Sequence, residues 1–176
     1  FFKVGYIMEG VLILHEDLNI IKKNKQSDIL LKIDFEKAYD KIKWSFLFQM
    51  LKLKGFPDKW IDWVMETVRG GKVCVKVNEN LGKYFCSYKG LRQGDSLSPL
   101  NFDLAADALA IMLNKARENG LVNGVLSEYT NNGVNMLQYA DDTIFLLQDD
   151  MDSAHNLKYI LCLFEQMSGL KINFHK

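Results

Sequence analysis

The sequence has few cysteines and prolines and no long apolar run. Its three cysteines, Cys74, Cys86 and Cys162, are scattered without a CxxC pair, which indicates reduced thiols rather than a secreted disulfide framework. Two prolines in 176 residues exclude a Pro-rich or collagen-like chain. The longest apolar stretches, such as residues 11–14, are far too short to span a bilayer. With 48% hydrophobic and 25% charged residues, the composition is that of one globular domain.

The sequence also lacks an excess of either charge, because 22 Lys and Arg residues balance 22 Asp and Glu residues. Nucleic-acid-binding domains usually carry a basic surplus, so neutrality alone weighs weakly against such a partner. The balance is uneven, since residues 1–60 hold eleven basic and eight acidic side chains, whereas residues 121–176 hold three and seven. The chain begins at Phe1 rather than Met, and we expect it to be a fragment of a longer protein.

Apolar periodicity predicts helices and strands that alternate within one α/β or α+β unit. The predicted helices cover residues 7–25, 38–54, 57–69, 100–119 and 153–167, the last capped by Ser153. The predicted strands cover residues 29–33, 73–77, 84–88, 136–139, 143–147 and 170–174, with a hairpin around residues 78–82. Trp44, Trp60 and Trp63 have helical spacing, which favours a place in the core over a base-stacking role.

Three aspartates are the main candidates for chemistry. Asp34 follows an apolar strand, and Asp141 and Asp142 lie between two apolar runs that predict a tight hairpin. Adjacent carboxylates repel each other, and a divalent cation such as Mg²⁺ removes that repulsion. If Asp34 lies beside the hairpin, the three acids can hold two metal ions about 3.5–4 Å apart, as in-line phosphoryl transfer requires. The alternative is a polar turn at residues 141–142 and an aspartate that merely ends a strand.

Four ordered segments resemble the motifs of reverse transcriptases. Residues 139–142 (YADD) resemble the catalytic hairpin, and residues 34–40 (DFEKAYD) resemble the upstream aspartate motif. Residues 90–99 (GLRQGDSLSP) resemble the template- and nucleotide-binding loop, and residues 168–176 (SGLKINFHK) resemble the last palm motif. The order and spacing of the motifs are most similar to those of non-long-terminal-repeat (LINE-type) retrotransposons, particularly those of plants.

The resemblance implies a polymerase palm with a central antiparallel sheet and helices packed on one face. Residues 1–28 would be a partial fingers segment and residues 29–176 the palm, with the thumb and the endonuclease absent. The implied activity is RNA-directed DNA polymerisation with two Mg²⁺ ions, for which Mn²⁺ can substitute. The implied partners are an RNA template, a DNA primer and dNTPs, with no membrane. The implied location is the nucleus, because such elements integrate there.

The resemblance also assigns roles to individual residues. Asp34, Asp141 and Asp142 would be the catalytic metal ligands. The nucleotide-binding residues would be Phe35 through its backbone carbonyl, Tyr39 under the sugar, Arg92 on phosphate, Gln93 and Gly94 in the loop, and Lys176 at the leaving pyrophosphate. Three of these have plainer alternatives: a core aromatic for Tyr39, a solvated loop cation for Arg92 and a charged chain end for Lys176.

Some positions depart from the family pattern. Gly5 stands where a fingers Arg that grips the triphosphate is expected, Ser96 replaces a usual Pro, and Asn101 replaces a usual apolar residue. Loss of an Arg–phosphate contact weakens nucleotide binding. A catalytically inactive remnant that acts as an RNA-binding or structural domain is therefore the main alternative function. A group II intron maturase is a further alternative within the polymerase class.

Overall fold

A computed structural model of the protein describes residues 2–3, 7–24, 27–124, 136–139 and 142–173. The elements run β1 (Phe2–Lys3), α1 (Ile7–Asn24), β2 (Asp28–Glu36), α2 (Ala38–Lys41), α3 (Trp44–Leu53), α4 (Asp58–Arg69), β3 (Lys72–Val73), β4 (Lys76–Val77), β5 (Asn80–Leu81), β6 (Phe85–Cys86), α5 (Ser98–Glu118), β7 (Met136–Tyr139), β8 (Asp142–Gln148), α6 (Met151–Ser168) and β9 (Lys171–Ile172). The alternation of helices and strands expected from the periodicity is confirmed.

Five strands form the central sheet in the order β1-β7-β8-β2-β9. The pairings are antiparallel except that between β1 and β7, which is parallel. The centre of the sheet is the β2–β8 pair, whose register runs from Asp28 opposite Gln148 to Asp34 opposite Asp142. The predicted polymerase-palm architecture with a central antiparallel sheet is thereby confirmed.

The main core lies on one face of this sheet. Alternate residues of β2 and β8, including Ile33, Phe35 and Phe145, are buried there against α3, α5 and α6. The rings of Phe35 and Phe164 lie 6.0 Å apart between centroids, which ties β2 to α6. A smaller cluster, formed by Leu137, Leu146, Ile144, Leu14 and Ile21, packs α1 against part of the opposite face. The helices therefore leave the Asp34 end of that opposite face without a core of its own among the described residues.

The predicted helix over residues 38–54 is wrong in one respect, because it divides into α2 and α3 at Ile42 and Lys43. Ile42 has extended backbone angles, φ −55° and ψ 126°. Its carbonyl accepts a hydrogen bond from the Gly90 amide, and the Lys43 amide donates to the Ser168 carbonyl at 2.8 Å. The interruption thus anchors two segments that are distant in the sequence.

The predicted hairpin is present, but its strands and turn differ from the expectation. β3 pairs with β6 and β4 pairs with β5, and each strand is two residues long. Asn78 and Glu79 form the two-residue turn with φ of 46° and 67°, so the five-residue loop expected at residues 78–82 is wrong. Positive φ at both central residues is the geometry of a type I′ turn, which suits the twist of a hairpin.

Two further expectations about side chains are wrong. Asp150, not Ser153, caps α6: its carboxylate accepts hydrogen bonds from the amides of Ser153 and Asp152, and these bonds, that of Ser153 above all, lower the pKa of Asp150. Trp63 is exposed on α4 with the Lys59 ammonium 5.3 Å from its ring centroid, so it is not a core residue. Trp44 and Trp60 are partly buried against the main core, as expected.

No helix of the described residues is long and apolar enough to cross a membrane.

Candidate active site

Asp34 and Asp142 lie directly opposite each other on neighbouring strands. Side chains alternate along a strand, and the residues beside each aspartate, Ile33 and Thr143, are buried on the core face. The two carboxylates therefore project from the opposite, solvent-facing side of the sheet. Directly opposed side chains have Cβ atoms about 4.5–5.5 Å apart, and like charges at such positions repel. The fold thus brings together two of the three predicted metal ligands.

The sequence interpretation missed Lys32, which belongs to the same site. Its Nζ lies 2.8 Å from Oδ1 of Asp142, and both side chains are more than half exposed. Lys32 precedes Asp34 by two residues, so the period of a strand places both on one face. That spacing was the available signal for a cation beside the carboxylates. Lys32 supplies a positive charge where the two aspartates face each other.

Several predicted residues lie outside the described part of the chain. These are Asp141, Lys176 and Gly5. Among residues 2–3, 7–24, 27–124, 136–139 and 142–173, no three His, Cys, Asp or Glu side chains converge in the manner of a metal site. The roles predicted for Asp141 and Lys176, and the effect of Gly5, stay predictions.

Phe35 and Tyr39 connect the aspartate strand to the core. The Phe35 side chain is buried, and its backbone pairs with Ile172 of β9. Tyr39 is half-buried and stacks on Phe102 of α5, with ring centroids 5.0 Å apart and an interplanar angle of 21°. This contact agrees with the core-aromatic alternative for Tyr39. Its contact with the sugar of a nucleotide stays a prediction.

The loop of residues 90–97 is fastened to the segment that follows Asp34. The Leu91 amide donates to the Tyr39 carbonyl at 2.6 Å, and the Trp44 indole Nε1 donates to the Gly90 carbonyl at 2.7 Å. Gly90 has φ +87°, and a Cβ there would lie 2.6 Å from the Asp40 carbonyl oxygen. Only glycine therefore permits this close approach. Two of the matched motifs, far apart in sequence, meet at this contact.

Arg92, Gln93 and Gly94 follow this anchor on the exposed part of the loop. The Arg92 guanidinium donates to the Thr67 carbonyl at the end of α4. Arg92 and Gln93 also line a cavity of about 590 Å³, together with Asp40, Trp44 and Lys89; neither Asp34 nor Asp142 lies in its lining. Arg92 thus has a structural partner, while its predicted contact with phosphate, like the roles of Gln93 and Gly94, stays a prediction.

Comparison with known proteins decides the family. Residues 5–176 match the family model described as "Reverse transcriptase (RNA-dependent DNA polymerase)". The chain belongs to the reverse transcriptase family. Members of this family generally use divalent metal ions, and the opposed carboxylates of Asp34 and Asp142 are suitable ligands for such an ion.

Two relatives of this reverse transcriptase domain come from retrotransposons. The chain is 24% identical over 172 residues to the transposon TX1 uncharacterized 149 kDa protein of Xenopus laevis, covering 97% of this chain and 12% of that protein. It is 27% identical over 154 residues to the Pol polyprotein of the type-2 retrotransposable element R2DM of Drosophila melanogaster, covering 88% and 14%. The predicted similarity to non-long-terminal-repeat retrotransposons is confirmed, whereas the plant affinity stays a prediction.

Solved structures of telomerase share the fold of this domain. The telomerase of Candida tropicalis, in complex with a TWJ fragment of telomeric RNA, is 20% identical with a TM-score of 0.70. The match covers 98% of this chain and 29% of the telomerase chain. The chain therefore spans less than a third of the solved neighbour and about one eighth of the retrotransposon relatives above.

Proposed function

We propose that this chain is the catalytic core of an RNA-directed DNA polymerase that transfers dNTPs to the 3′-OH of a DNA primer on an RNA template. The observation that carries the proposal is the register that sets Asp34 opposite Asp142, in a chain that matches the family over residues 5–176. Membership of the family supports an RNA template, and the primer and the dNTPs complete the reaction that we propose.

In this proposal Asp34, Asp141 and Asp142 hold two Mg²⁺ ions, for which Mn²⁺ can substitute. Bound divalent ions supply the positive charge that offsets the negative charge developing on the reacting phosphate. The chain's own residues orient the reactants: Gln93 and Gly94 contact the incoming nucleotide and the template. Tyr39 lies under the sugar and Lys176 neutralises the leaving pyrophosphate. Catalysis of this kind depends mainly on positioning and on charge stabilisation.

We further propose that residues 29–176 are the palm and residues 1–28 a part of the fingers. The thumb and endonuclease segments of a longer polyprotein complete the enzyme, in keeping with relatives several times the length of this chain. A nuclear location belongs to the same proposal, since such elements insert into genomic DNA.

A catalytically inactive, RNA-binding remnant is the second candidate, and Gly5 is the observation that favours it. Without the expected Arg, the chain lacks one bidentate grip on a triphosphate. This candidate predicts RNA binding without nucleotide incorporation.

Primer extension on an RNA template with Mg²⁺ tests the proposal. We expect the chain to extend a DNA primer and Asp141→Asn to reduce incorporation by about a hundredfold to a thousandfold, because a metal ligand and its charge are lost. Asp62→Asn, which removes an exposed carboxylate on α4, is the matched control and should extend normally. Equal incorporation by the wild-type chain and Asp141→Asn would contradict the proposal, and binding without any extension would favour the inactive remnant.

A further inference from the structure

The hairpin of residues 72–89 carries a surface that the catalytic motifs do not use. Its tyrosines are largely solvent-exposed, with Tyr84 65% and Tyr88 90% accessible, and Phe85 beside them is half exposed. Exposed aromatic rings gain free energy when a ligand covers them, because their apolar area is then removed from water. We call the three aromatic residues and the lysines described next the hairpin surface.

Positive charge accompanies these aromatic rings. Residues 72–89 contain Lys72, Lys76, Lys83 and Lys89 and a single acidic residue, Glu79, in a chain whose net charge is zero. All four lysines are exposed. In the part of the chain that the structure describes, none of them forms an ion pair. The hairpin is therefore a local basic region with four exposed lysines that an anionic partner can contact.

The hairpin surface is continuous with the loop of residues 90–97. Ser87 and Lys89 line the same cavity as Arg92 and Gln93. Val73 lines this cavity too, and the antiparallel pairing of β3 with β6 sets it opposite Phe85. A chain that contacts the loop can therefore continue onto the hairpin.

We propose that the hairpin surface binds single-stranded nucleic acid, namely the RNA template before it enters the active site. Tyr84, Phe85 and Tyr88 provide stacking faces for bases, and the lysines contact phosphates. Base–aromatic stacking next to a positively charged groove is the usual way in which proteins bind single strands without sequence preference. The identification of the bound strand as the template rests on the proposed polymerase function.

A protein partner is the competing occupant, since Val75, Val77 and Leu81 of the same hairpin are also exposed. The charge distribution favours the nucleic acid, because four lysines against one glutamate complement a polyanion rather than a neutral apolar surface.

The test is the binding of fluorescently labelled oligouridine to the chain, followed by anisotropy over a series of salt concentrations without Mg²⁺ or dNTPs. Tyr84→Ala combined with Tyr88→Ala should weaken binding by about tenfold or more, because two stacking contacts are lost. Lys76→Gln combined with Lys83→Gln should reduce the slope of log K against log salt by about 1.4, which is about 0.7 for each lost phosphate contact on a single strand.

Matched controls come from α6, where Tyr159 is 74% accessible and Lys158 is exposed beside it. Tyr159→Ala and Lys158→Gln should leave both the affinity and the slope unchanged. Circular dichroism melting of each variant establishes that it is folded. If the hairpin variants keep the wild-type affinity and slope, the proposal is overturned. It is also overturned if their only change is a loss of self-association of the chain in sedimentation runs, which is the result that a protein partner predicts. Because binding is measured without catalysis, a chain that fails to extend primers can still bind RNA through the hairpin, so the two proposals fail separately.

Discussion

At the scale of single residues, the site depends on charges that face each other across two strands. Asp34 and Asp142 are directly opposed, and Lys32 lies 2.8 Å from the Asp142 carboxylate. The sequence was sufficient to select the aspartates, because a strand-ending acid and an acidic hairpin are visible as motifs. It was not sufficient to select Lys32, because its relevance depends on which strand lies beside β2. Lys32 compensates part of the negative charge that, in the proposed function, a bound divalent ion compensates.

Lys32 should therefore compete with metal binding. We expect Lys32→Gln to lower the melting temperature by about 1–3 °C in EDTA, because two carboxylates lose their counter-charge. The decrease is small because an exposed ion pair contributes little to stability. Addition of Mn²⁺ should raise the melting temperature of Lys32→Gln more than that of the wild-type chain, since the ion no longer displaces an ammonium group.

Lys54→Gln is the control for this measurement. It breaks the Lys54–Asp107 ion pair, in which Nζ and Oδ2 lie 2.7 Å apart between α3 and α5. Lys54→Gln should show the wild-type response to Mn²⁺. An equal or smaller Mn²⁺ shift in Lys32→Gln would show that Lys32 does not compete with the metal.

At the scale of elements, local pattern predicted which segments are helices and strands, and tertiary contacts decided where they end. The break at Ile42 and Lys43 has no Gly or Pro to signal it, because its cause is hydrogen bonding to Gly90 and Ser168. The predicted cap of α6, Ser153, is wrong, because the Asp150 carboxylate is the group that accepts hydrogen bonds from the first amides of the helix. Trp63 has the spacing of a core residue but lies on the exposed side of α4.

The contact between the loop and the segment after Asp34 should depend on Gly90. We expect Gly90→Ala to lower the free energy of unfolding by about 2–4 kcal/mol, because a left-handed alanine is strained and its Cβ meets the Asp40 carbonyl. Gly94→Ala is the matched control, since Gly94 has a similar φ of +89° but open space around its Cβ position. It should cost only about 1–2 kcal/mol of strain. Urea unfolding measures the free energy of unfolding of both variants. Equal decreases in Gly90→Ala and Gly94→Ala would show that the contact with the Asp40 carbonyl is unimportant.

At the scale of the whole molecule, a net charge of zero first weighed against a nucleic-acid partner. The structure distributes that charge: carboxylates meet at the centre of the sheet, and lysines gather on the hairpin. The net charge of zero thus hides an acidic pair, Asp34 and Asp142, and a basic hairpin surface. The order of the four motifs was enough to predict the family and the palm, whereas the register and the exposed hairpin required the fold.

This distribution predicts that the chain alone binds its template weakly and with strong salt dependence. We expect the affinity for a primer–template to fall by at least about tenfold between about 50 and 200 mM salt, because a few phosphate contacts supply most of the binding free energy. A filter-binding titration measures this. Tight binding that does not change with salt would contradict it.

The central claim is that the β2–β8 register builds the metal site of a reverse transcriptase. Its most direct test is the anomalous scattering of Mn²⁺ in crystals of the chain grown with an RNA template, a DNA primer and a dNTP. We predict an anomalous peak about 2 Å from carboxylate oxygens of both Asp34 and Asp142, and its loss in Asp34→Asn. Mn²⁺ bound elsewhere, with these two carboxylates free of it, would contradict the account.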